Sequence, residues 1–126
     1  MRCTELICAQ SVVIDKTTNQ VSIFNIYENA FSTLFPFQIP ILALFIQLER
    51  EGHDPLTNTF NLIIKLNNNQ LLNQPVTISF IDGDVRNNTT VNMQGLVIGE
   101  PGAVSFDVEQ NNEIKKTYYF KIGLKQ

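Results

Sequence analysis

Few residues in this chain are of a type that does covalent chemistry, and their spacing rules out most of what they could do. There is one histidine, His53, set in the loop run Glu51-Gly52-His53-Asp54-Pro55, and there are two cysteines, Cys3 and Cys8. Nucleophilic catalysis needs a base beside the nucleophile, with a third group orienting that base. His53 is the sole imidazole available, and its surroundings read as a solvated turn. A zinc site needs three or four His, Cys or carboxylate ligands at close spacing, which one histidine and two cysteines on an extended segment do not supply. Five residues of strand span roughly 16 Å, whereas a disulfide holds its Cα atoms within about 7 Å. Cys3 and Cys8 are therefore expected as free thiols pointing to opposite faces, in a reducing compartment.

The acidic residues offer slightly more. Asp82-Gly83-Asp84 is the weak candidate for a calcium loop, with Asp54 or Asp107 as further oxygen donors if the fold brings them near. The same triplet is also an ordinary turn, and no bidentate Glu follows at the required spacing. Glu49 and Glu51 lie roughly 7 Å apart along an extended chain and on one side of it, so they do not face each other across a cleft as glycosidase carboxylates must. Asp107 and Glu109 alternate outward and are expected on a solvated face. Gly99-Glu100-Pro101-Gly102 has neither a following helix nor the Lys-Ser/Thr pair of a phosphate loop, and it reads as a hairpin turn. No cofactor motif is present. Chemistry gives way to surface: Phe31, Phe35 and Phe37 sit in a proline-bracketed connection, and Tyr119 falls on the outward register of its strand. These four are the candidate partner-binding residues, with Phe31, Phe35 and Phe37 equally readable as a plug closing one end of the fold. Tyr27 is weighed beside Tyr119.

The elements that would hold these residues are strands. Inward and outward positions alternate with period two along most of the chain. Extended segments are expected over residues 4–14, 21–27, 41–48, 60–66, 76–80, 91–98, 104–109 and 117–122. Polar turns separate them, among them Asn67-Asn68-Asn69 and Gln110-Asn111-Asn112-Glu113. Residues 41–48 are apolar almost without a break, as in a strand covered on both faces. At Gly95 the alternation changes phase, the usual mark of a bulge. Pro36 and Pro40 make residues 31–40 a connection or an edge. No helical periodicity of useful length occurs. About eight short strands indicate an all-β, antiparallel two-sheet sandwich forming one domain over residues 1–126.

Composition agrees. A chain of 126 residues can bury roughly two-thirds of its surface in one core. Nine Lys and Arg are scattered against twelve Asp and Glu, for a net charge of -3, so the clustered basic patch that nucleic acid demands is missing. The run Ile41 to Ile46 is too short to span a bilayer, and no secretory leader is read at the N-terminus. A soluble, cytoplasmic protein is the expectation.

Three stretches carry a resemblance. Cys3-Thr4-x-x-x-Cys8-Ala9 with Val12-Val13-x-Asp15 opens the chain. Phe35-Pro36-x-x-x-Pro40-x-Leu42 runs into Leu48-Glu49-Arg50-Glu51-Gly52-x-Asp54-Pro55, and Gln94-Gly95-Leu96-Val97-Ile98-x-x-Pro101-Gly102 precedes the last hairpin. In these the chain resembles a family of small bacterial proteins of unassigned function. The resemblance implies one compact domain of bacterial type and brings no activity or site with it. The function expected is a non-enzymatic interaction module that binds a protein partner or self-associates as a homo-oligomer. The alternative is a module for carbohydrate or lipid headgroups, possible calcium assistance included; other small-molecule ligands are disfavoured.

Overall fold

The computed structural model describes residues 1–81 and 83–125. Asp82, half of the calcium candidate, lies outside the described residues. The described residues form nine strands: β1 (Arg2–Ile14), β2 (Val21–Ile26), β3 (Asn29–Ser32), β4 (Phe37–Glu49), β5 (Thr57–Leu66), β6 (Asn69–Ser79), β7 (Arg86–Ile98), β8 (Gly102–Gln110) and β9 (Glu113–Leu124). They make a four-stranded sheet in the order β2-β1-β4-β7 and a five-stranded sheet in the order β3-β9-β8-β5-β6. Every paired neighbour is antiparallel except β3 and β9. The expected all-β sandwich is what forms.

The two faces that meet are apolar at alternate positions. Leu42, Leu44, Ile46 and Leu48 of β4 oppose Phe60, Leu62 and Ile64 of β5, Val104, Phe106 and Val108 of β8, and Phe120 and Ile122 of β9, all in one buried cluster. Two-residue turns close the hairpins that flank it. Asn67 and Asn68 join β5 to β6, and Asn111 and Asn112 join β8 to β9, all four with positive φ. Paired positive φ angles define the type I′ turn, whose twist matches that of the strands. Asparagine reaches this region at low cost because its short amide bonds locally. The Asn-rich composition thus has a backbone reason.

Four expectations change. The ninth strand, β3, overlaps the start of the segment read as a connection or an edge, and it stands at the edge of the five-stranded sheet. Its four residues pair in parallel with Lys121–Leu124 of β9, too short a run for alternation to register. The cysteines do not point to opposite faces. The register shifts between Cys3 and Glu5, and this extra residue restores phase, so both Cys3 and Cys8 enter the core. At Gly95 no residue is inserted: Ile39 pairs with Leu96 and Ile41 with Gln94 across an unbroken register. Pro40 stands opposite Gly95, whose φ is 70°, and both strands change phase together there. Finally, the cover expected on both faces of β4 holds from Leu42 to Ile46 and fails at Ile41. On its outward face Ala43 and Phe45 are buried and Ile41 is half exposed.

Candidate functional site

The candidate reactive groups are kept apart. His53 is exposed in the loop between β4 and β5. Asp54 in the same loop accepts from the Met1 ammonium at 2.5 Å and from the Glu51 amide at 2.8 Å; the ammonium hydrogen bond is the main cause that holds its carboxyl below the usual range. Glu49, at the end of β4, takes Arg86 on Oε1 at 2.9 Å and Arg2 on Oε2. Those two guanidinium bonds, Arg86 first, lower its pKa. With both oxygens occupied, Glu49 forms no carboxylate pair with Glu51. Asp84 is exposed, and its amide closes a turn onto the Ile81 carbonyl at 2.8 Å. Among the described residues no three His, Cys, Asp or Glu side chains gather closely enough to hold a metal ion.

Both thiols are buried and free. Desolvation pushes Cys3 up to about 11 and Cys8 up to about 12, because an apolar interior disfavours the thiolate. The thiolate is the reactive form. An aromatic disulfide reagent at pH 8 is therefore expected to leave both thiols of the native protein unmodified and to titrate both in denaturant. Rapid native-state labelling would contradict their burial. Stability follows the same groups: it is intact below the unfolded thiol pKa of about 8.5, and falls as pH rises from there to the folded values, because over that interval only the unfolded chain ionises readily.

The four surface candidates divide. Phe35 and Phe37 pack against the core cluster, as the plug reading has it. Phe31 and Tyr119 instead share the outer face of the five-stranded sheet, 66% and 63% exposed. Phe31 stands beside Gly123 in the β3–β9 pairing. A Cβ built at Gly123 would lie 3.0 Å from Cδ1 and Cε1 of Phe31, so the missing side chain is what lets that ring edge approach the strand. Tyr119 is four residues back along β9, roughly 13 Å away.

Three shallow depressions surround these rings. One, of about 430 Å³, lies between Tyr119 and Lys65, Ser105 and Asp107. A second, of about 530 Å³, lies on the other side of Tyr119 against Glu28 and Lys121. A third, of about 360 Å³, runs under Phe31 along Ala103 and Gly123. Asp107 departs from the solvated face expected of it, being only 4% exposed. Its strand neighbours Ile63 and Thr117 flank it across the sheet. Thr117 donates to Oδ1 at 2.6 Å, while Oδ2 has the Lys65 ammonium at 3.6 Å. Alternation gives the face of a residue but not the height of its neighbours, so this burial had no sequence signal.

The outer face of the four-stranded sheet was not singled out from sequence. Ala9 pairs with both Ile26 and Ala43, and Ser11 with Phe24. Around these small residues Val13, Phe24, Ile26 and Ile41 are each about half exposed. The signal was present in Phe24 and Ile26, two apart on a strand whose other face is inward.

Among the described residues no helix is long and apolar enough to cross a membrane. A comparison with curated proteins finds no match. The model of a family of unknown function (DUF6941) matches residues 6–123 of the 126, and the chain belongs to that family.

Proposed function

We propose that the protein is a non-enzymatic interaction module whose four-stranded sheet binds a protein partner, with a second copy of the same chain as the first partner to test. The observation that carries this reading is the apolar outer face built from Val13, Phe24, Ile26 and Ile41 around Ala9 and Ala43. Contiguous exposed apolar surface marks interfaces more often than it marks solvent. The six residues carry no charge, so two copies related by a two-fold axis meet without repulsion, as a self-complementary contact requires. Two buried free thiols suit a reducing setting such as the cytoplasm.

Light scattering across a concentration series tests the reading. The native chain is expected to dimerise, and Phe24→Asp to weaken the dimer by about 2 kcal/mol or more, roughly 30-fold in affinity. Phe24 is exposed, so the substitution should leave folding stability within about 0.5 kcal/mol. A monomer at every concentration would refute self-association. The wider reading would fall if the protein turned over a substrate and lost that activity on His53→Ala.

A further inference from the structure

We propose that the outer face of the five-stranded sheet binds an uncharged glycan, stacked on Tyr119 and Phe31 and hydrogen-bonded to Asp107 and Lys65. This site lies on the sheet opposite the apolar face and does not rest on the reading given above.

Two observations point to a ligand rather than to plain surface. The first is the pair of exposed rings lined up along β9. Tyr119 stands free between two depressions, and Phe31 turns one ring edge, Cδ1 and Cε1, to Gly123 and leaves most of the ring exposed. A row of aromatic faces on a flat sheet offers area at little entropic cost, since each ring is fixed by two torsions. The second is Asp107. A carboxylate is rarely taken out of water without full pairing, yet Asp107 lines a depression with only Oδ1 hydrogen-bonded, by Thr117, and Oδ2 3.6 Å from the Lys65 ammonium. That oxygen retains room for a donor from outside.

Charge then selects the ligand class. The first depression holds one carboxylate and one ammonium, Asp107 and Lys65; the second likewise holds Glu28 and Lys121. Each is neutral overall, and the third, beside Phe31, has Lys121 as its charged residue; together the three hold two carboxylates and two ammoniums, which gives a phosphate, a nucleic acid or an acidic polymer no net attraction. Asp107 and Lys65 balance in charge although they are 3.6 Å apart, and a zwitterionic ligand would have to separate them. A hydroxyl suits such a pair better: it donates to the carboxylate and accepts from the ammonium at once. Vicinal hydroxyls presented beside an apolar ring face are the chemistry of a neutral sugar. The depressions, at 360 to 530 Å³ each, fall within the range of small-ligand sites.

The test is calorimetric titration of the full chain with cellohexaose, xylohexaose, mannohexaose and chitohexaose, and with a hyaluronan oligomer and phosphocholine as charged probes. Binding of at least one neutral oligosaccharide is expected. Tyr119→Ala should weaken it roughly tenfold, and Phe31→Ala and Asp107→Asn should each weaken it measurably. Tyr119 and Phe31 are exposed, so their truncation leaves the fold intact, and circular dichroism of each variant checks this. Phe24→Asp should bind the sugar as the native chain does, which separates this site from the opposite sheet. The proposal is overturned if no neutral oligosaccharide binds, if only a charged probe binds, or if binding survives Tyr119→Ala.

Discussion

Phe120→Ala is expected to destabilise the protein by about 3–5 kcal/mol, the cost of deleting a buried aromatic ring from a packed core. Phe120 is 1% exposed and sits between two other rings, Tyr27 at 5.3 Å and Phe106 at 6.1 Å between centroids. Tyr27 does more than fill space. β1 pairs with β4 only as far as Ala9 and Ala43, and beyond that point the Tyr27 hydroxyl donates to the Ile41 carbonyl at 3.0 Å. The Tyr27 carbonyl in turn accepts from the Tyr118 hydroxyl. The stack therefore joins the two sheets where the ladder between β1 and β4 opens. Removing the Phe120 ring leaves a cavity and unseats Tyr27 together. Urea unfolding followed by circular dichroism should show a lower midpoint with an unchanged slope. A loss below about 1.5 kcal/mol would mean that the site collapses around the smaller side chain and that the stack is not a structural joint.

The aromatic stack also marks where sequence reading succeeds and where it stops. Strands β5, β8 and β9 are legible because their inward residues run unbroken: Phe60, Leu62, Ile64 and Leu66; Val104, Phe106 and Val108; Phe120 and Ile122. Period two is a local property, and it holds wherever nothing interrupts the pleat. The failures fall where a non-local event resets it. One extra residue near Thr4 turns Cys3 inward, and the matched break at Pro40 and Gly95 is visible only when both strands are known. β3 depends entirely on β9 for its bonds. Surface chemistry is less legible still. Phe31, Phe35 and Phe37 have the same residue type and the same proline-rich setting, yet only Phe31 finds a glycine opposite and lies on the outside. The apolar stretch of β4 implied cover on both faces, and at Ile41 the outer cover is missing. That shortfall is the apolar face to which the proposed partner binds.

Gly102→Ala is the second substitution with a large expected effect, about 2–4 kcal/mol. Gly102 has φ of 151°, in a region that side chains rarely enter, and forcing a residue into sparsely populated backbone space costs about 1–3 kcal/mol. A Cβ there would also lie 1.9 Å from Oδ1 of Asn67. Asn67 is already committed. Its Oδ1 accepts from the Ala103 amide at 3.0 Å, its Nδ2 donates to the Pro101 carbonyl at 3.1 Å, and its own amide donates to the Ala103 carbonyl at 2.9 Å. This asparagine latches the β5–β6 turn to the start of β8, and its positive φ in that turn leaves it little freedom to withdraw. Displacing its amide forfeits bonds worth about 0.5–1.5 kcal/mol each. The two costs separate in a cycle with Asn67→Gly, which removes the obstructing side chain and tolerates the turn angles. In that background Gly102→Ala should cost only the backbone term, so the two substitutions are expected to combine to less than their sum. Strict additivity would show that the steric conflict plays no part. Because Asn67 and Ala103 border the depression beside Tyr119, Gly102→Ala should also weaken binding of a neutral oligosaccharide while leaving dimerisation through the opposite sheet unchanged.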